Sequence, residues 1–225
     1  MSVTIGIYDL FAYTIPGFLY LFVINEFFRL IGWNSLQFDQ LNQIPDLIFA
    51  AIAILCAYVI GNLFDFFAGW FLNTLLGRGR TPEVELTRLT KRYPTLDIRF
   101  VPKDWELLFA LLRQRAREPS SLIETYGATG ILHRNICFGL LLLAILQIYQ
   151  MFLNYSHAGL AIAIGILILC YVAYRRNRMY YVWFFREIYE ASLNYGKSIE
   201  EVVAYGKETQ PSAPNKIRKV KSART

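Results

Sequence analysis

Four apolar stretches constrain this chain more than any other feature. They run from about Leu10 to Leu30, from Leu47 to about residue 69, from Ile131 to Leu153, and from Gly159 to Tyr174. A helix rises about 1.5 Å per residue, so roughly 20 residues cross a hydrocarbon core of about 30 Å. No water is present there to satisfy a backbone amide or carbonyl, so each stretch is expected to be a helix. The composition agrees: 55% of residues are hydrophobic and 18% charged, against roughly 45–50% and about 25% in soluble domains. The expected fold is all-α, a polytopic membrane protein with a four-helix transmembrane bundle.

The basic residues give this arrangement a direction. Of 23 lysines and arginines, ten lie between Gly77 and Leu132, Arg134 follows at the next apolar boundary, eleven lie beyond Tyr174, and Arg29 stands alone. Cytoplasmic segments retain Lys and Arg. The expected location is the bacterial inner (cytoplasmic) membrane, multi-pass, with N- and C-termini in the cytoplasm. The +6 net charge then marks affinity for anionic headgroups, and no nucleic-acid partner is expected. Residues 1–9 carry no Lys or Arg and no small-x-small cleavage site follows, so the first span reads as retained rather than as a signal peptide.

Five units follow. Residues 1–76 form a first transmembrane hairpin, whose second helix stays apolar to Leu76 and extends past the core. Residues 77–130 form a small helical cytosolic insert, 131–174 a second hairpin, 175–209 an aromatic, basic helical extension, and 210–225 a basic disordered tail. In that tail Lys216, Arg218, Lys219 and Lys221 are expected to touch anionic lipid, at about 1 kcal/mol per basic residue. Within the insert, Thr81-Pro82-Glu83 has the chemistry of a helix start. Leu96 to Val101 alternates like a brief strand. Asp104 is expected to cap a helix ended by Pro119, and Ser120 or Ser121 to cap the next, which runs on into the third span.

Polar and small residues inside the spans are the functional candidates. Ala57, Gly61, Asp65, Gly69 and Asn73 recur every four residues. They form either a helix-packing face or a pore seam. Ala161 and Gly165 make a weaker version. Asp65 is the acid deepest inside an apolar segment and needs a partner. Arg134, Arg175 and Arg176 are the candidates at its depth, for a structural ion pair or for an ion-sensitive gate. Pro16-Gly17 is a candidate kink or hinge. Gln147 and Gln150 suit hydrogen bonds between helices. Cys56, Cys137 and Cys170 lie in apolar runs without zinc or disulfide spacing. His133 and His157 are expected at different depths. No nucleotide-binding loop, hydrolase elbow or metalloprotease helix is present. The chain is therefore expected to be no enzyme, with no catalytic, cofactor-binding or metal residues and no cofactor.

The segments YDLFAYTIPGFLY (Tyr8 to Tyr20) and YRRNRMYYVWFFREIYEASLNY (Tyr174 to Tyr195) resemble stretches in small bacterial four-span proteins. The architecture is similar to that of membrane components of antiphage defence systems. The resemblance implies a compact bundle joined to a cytosolic sensing or docking element, and no functional residue is carried over from it. The expected function is a self-associating sensor or effector with a cytosolic protein partner, working through permeability or partner recruitment. The alternatives are a small ion channel or transporter, and a scaffold that recruits a soluble enzyme.

Overall fold

The computed structural model describes residues 7–33, 45–75, 81–95, 98 and 100–194. Among these there are helices and short connections and no strand. The helices are α1 (Ile7–Leu30), α2 (Asp46–Leu75), α3 (Thr81–Arg92), α4 (Trp105–Arg115), α5 (Arg117–Leu153) and α6 (His157–Asn194). A 3-10 turn, Pro102–Asp104, leads into α4. Four helices, α1, α2, α5 and α6, are long and apolar enough to cross a membrane. At 37 and 38 residues, α5 and α6 are each about 55 Å long. That exceeds a hydrocarbon core, and the surplus of both carries the rest of the chain.

The first hairpin is held by backbone contact. Gly17 of α1 lies against the carbonyl of Ala57 on α2, and Gly61 of α2 lies against the carbonyl of Tyr13 on α1. At either glycine a Cβ would overlap the opposing carbonyl. Small residues allow this approach, and close packing replaces the hydrophobic drive that lipid removes. Aromatic pairs flank the crossing: Tyr13 meets Tyr58 edge-on at 5.9 Å, and Tyr20 stacks on Phe64 at 4.5 Å. The α1 helix continues through Pro16, which is fully buried. The Pro16-Gly17 pair is thus a docking point for α2 within a continuous helix.

α1 packs against both α2 and α5, α2 also meets α5, and α6 lies along α5. α6 reaches α2 around Leu72, where Cys137 and Ala173 complete a small buried cluster. The outer faces stay apolar. Leu55, Leu63, Phe66 and Trp70 on α2, and Ile162, Ile168 and Leu169 on α6, are all exposed. Exposure of this extent is far beyond what a water-facing monomer carries and suits contact with lipid tails.

A basic helical module is built on the surplus of α5 and α6. Leu86 and Leu89 of α3, Leu108 and Leu112 of α4, Ile123 of α5, and Phe185, Ile188 and Tyr189 of α6 share one buried core. Trp105 meets Phe184 and Phe185 edge-on. The described residues of the Leu96 to Val101 stretch are not in the brief strand expected. In its described part, Ile98 and residues 100–101 are irregular, and Phe100 drops into the core to stack on Tyr189 at 5.8 Å. Ile98 packs against the same core, so the alternation reflects two side chains turned inward. Asp104 stands at the α4 N-cap, but its carboxylate accepts the Val101 amide at 2.8 Å rather than an α4 amide.

Pro119 also departs from expectation. It sits in the first turn of α5, where its missing N–H costs nothing. Neither Ser120 nor Ser121 is the cap: Ala116 is, and the Ser120 hydroxyl donates to the Arg117 carbonyl at 2.9 Å. The loop 34–44, the Gly77–Arg80 boundary, and the tail with Lys216, Arg218, Lys219 and Lys221 lie outside the described residues.

Substituting Gly17→Ala or Gly61→Ala forces apart two backbones that touch. We expect either variant to lose about 1–3 kcal/mol or more, read as a lower unfolding midpoint in detergent. Gly165→Ala meets open space and should leave the midpoint unchanged.

Candidate functional site

The polar groups of the spans converge on one place. Asp65 projects from α2 towards α5, where its carboxylate accepts hydrogen bonds from the Arg134 guanidinium and from the Asn135 amide, the latter at 2.9 Å. Arg134 also donates to the Tyr181 hydroxyl of α6 at 3.3 Å. The Tyr20 hydroxyl of α1 donates to the Asn135 carbonyl at 2.8 Å. One network therefore ties α1, α2, α5 and α6 together. About one turn of helix away, Asn177 of α6 donates to the Gly130 carbonyl of α5 at 2.5 Å.

Local sequence explains the convergence. Arg134 and Asn135 are adjacent on α5, so both reach one carboxylate. Gly69 lies one turn beyond Asp65 on α2, against the guanidinium. A Cβ there would stand 3.4 Å from Arg134 Nη1. Asn135 and Asn177 are fully buried, and the Arg134 and Asp65 side chains are 11% and 23% exposed. Opposite charges so placed cancel locally, which is how a charged group survives among apolar helices. The side-chain oxygens of Asn135 and Asn177 and the Nε of Arg134 have no protein partner.

The five-residue seam resolves into separate roles. Ala57 and Gly61 are covered by α1, Asp65 and Gly69 by Arg134 of α5, and Asn73 is exposed. Within one chain this face packs against α1 and α5 as far as Gly69. Arg175 and Arg176 are exposed, and it is Arg134 that pairs with Asp65. Ala161 is exposed, and nothing in the chain covers Gly165. Gln147 lies beside Gly159 at the far end of the α5–α6 pair.

None of the three cysteines forms a disulfide. Cys56 faces outward, whereas Cys137 and Cys170 meet across α5 and α6 with their sulfurs 3.7 Å apart. His133 sits against the Thr129 carbonyl at 2.8 Å, and His157 against Tyr155. Among the described residues no group of three or more His, Cys, Asp or Glu is placed to hold a metal.

Sequence reasoning passed over Asn135, Asn177, Tyr20 and Tyr181. The signal was present for the asparagines, since an amide inside or beside an apolar run must find a partner. For the tyrosines there was none, because tyrosine is common in such helices.

The fold and this network define an all-helical, multi-pass chain whose four long helices are held together by a buried polar cluster. Comparison with family models, with curated proteins and with solved structures gives no match.

Removing one partner of a buried pair strands the other charge, at a cost of about 3–5 kcal/mol, while replacing both by apolar groups of similar volume is close to neutral. We expect Asp65→Leu to lower the unfolding midpoint in detergent sharply and the double variant D65L/R134M to recover most of the loss. Equal midpoints for single and double variants would show that the pair does not hold the helices.

Proposed function

We propose that this chain is a non-enzymatic protein of the bacterial inner membrane, with both termini and the basic module in the cytosol. It self-associates and acts as a sensor or effector: the module takes up a ligand or partner, and the spans answer by changing permeability. The observation that carries this reading is continuity. α5 and α6 run unbroken from the apolar spans into the module and supply part of its core. A helix is stiff over such lengths, so the module cannot tilt without displacing the spans. Arg134, Asn177 and Tyr181 lie where the two helices leave the apolar region, so the network stands at the joint.

Coupling of this kind needs an element with two arrangements that both ends bias. A polar network with unused donors and acceptors supplies alternative hydrogen bonds for one. The basic residues support the orientation, and the resemblance to membrane components of antiphage defence systems supports a defence setting. A channel within one chain is disfavoured because α1 and α5 cover the seam as far as Gly69, so any permeation path lies between copies.

Two experiments test this. Reporter fusions at Lys103 and at the C-terminal end should both report the cytosol, and opposite faces would overturn the topology. Overproduction in bacterial cells should depolarise the membrane, read with a potential-sensitive dye. Arg178→Pro, which interrupts α6 between spans and module, should abolish depolarisation at equal membrane abundance. An intact chain that leaves the potential unchanged but retains a soluble protein in pull-downs would replace the effector reading with the scaffold.

A further inference from the structure

Where α3 crosses the end of α6, a half-open groove of about 230 Å³ lies at the surface of the module. Three arginines rim it: Arg88 and Arg92 from α3 and Arg186 from α6. Leu89 and Tyr189 supply its apolar wall. Glu85, whose side chain is only 2% exposed, holds Arg88 and faces the Arg186 Nε at 3.8 Å. Glu190 holds Arg92 at 2.8 Å. The groove therefore carries three positive and two negative charges, with Glu85 nearly buried and Glu190 partly exposed beside the guanidiniums.

This arrangement presets an anion site. Each guanidinium offers five N–H groups in a planar fork. A pairing carboxylate engages one or two of them, and the remainder are free to face the groove. The carboxylates also bias three long, partly exposed side chains towards the groove before any ligand arrives, which favours preorganisation. Arginine forks match phosphate oxygens in pairs. A phosphate monoester brings up to two negative charges and three terminal oxygens to three guanidiniums. The volume lies below the roughly 300–1,000 Å³ of sites that take drug-sized ligands, so a small monoester fits and a dinucleotide does not.

We propose that the α3–α6 groove binds a small phosphate monoester through Arg88, Arg92 and Arg186. Bound there, it bridges α3 to α6 and becomes the input of the sensor described above. The input role rests on that reading, while the binding does not. The same chemistry comes from a soluble metabolite or from a lipid monoester headgroup. Arg186 lies ten residues beyond Arg176, about 15 Å further along the helix, which favours the soluble source.

The test uses the full chain in phosphatidylcholine nanodiscs. Glycerol 3-phosphate is titrated while the unfolding midpoint and calorimetric heat are followed. A saturable rise in midpoint is expected, with affinity at least tenfold weaker in Arg92→Gln and Arg186→Gln. Arg113→Gln should bind as the parent does, since Arg113 pairs with Glu124 outside the groove. Should either glutamine variant fail to fold, Arg92→Lys, which keeps the charge and loses the fork, is used in its place and should show the same weakening. Nanodiscs containing phosphatidic acid form the second arm. Stabilisation there without any response to glycerol 3-phosphate assigns the site to a lipid headgroup. No response in either arm, or equal loss in Arg113→Gln, overturns the proposal and leaves the arginines as braces between α3 and α6. Membrane potential is not measured here, so failure of binding and failure of the effector reading are distinguishable.

Discussion

The pairing of Asp65 with Arg134 is the contact on which the arrangement of the spans depends. A lone carboxylate among Phe64, Phe66 and Phe67 has no tolerable state in hydrocarbon. It needs a cation from another helix at matching depth. That requirement brings α2 against α5 in one register, with Gly69 beside the guanidinium. Asn135 arrives at the same carboxylate because it is the next residue along α5. Its carbonyl then receives Tyr20 from α1, and Arg134 reaches Tyr181 on α6. One buried charge thus organises all four long helices.

Packing and polarity divide the work between them. The polar network selects register, because a shift of one residue rotates each polar side chain by about 100° away from its partner. The glycines set distance, because Gly17 and Gly61 let α1 and α2 touch through their backbones. The outer faces contribute neither. Their Ile, Leu and Phe side chains are interchangeable towards lipid, and they carry no information about which helix lies beside which.

The two halves of α5 and α6 stand in different regimes. In the module, Ile123, Phe185, Ile188 and Tyr189 are buried with α3 and α4 in a core of the kind that water drives together. In the spans that drive is absent, and close packing and hydrogen bonds replace it. A single pair of helices therefore joins a hydrophobic core to a polar lock. Phe184 and Tyr181 lie over Gly127 and Gly130 near this junction, which keeps the pair close where the surroundings change.

The sequence by itself determined what is local. Length and hydropathy act along each helix separately, so the four long helices, the two helices of the insert and the continuation of α5 and α6 past the spans were all legible. So was the need of Asp65 for a partner. Only the tertiary structure decided which partner: Arg134 rather than Arg175 or Arg176, because that choice depends on the rotation of α5 and α6 about their axes. The same holds for α1 covering Ala57 and Gly61, for Cys137 meeting Cys170, and for Phe100 taking a core position where alternation suggested a strand. Glu85 and Arg186 belong to opposite ends of the module's sequence, and no local pattern joins them. Hydropathy is a property of each segment alone, whereas register and rotation exist only between segments, and the polar lock is made of nothing else.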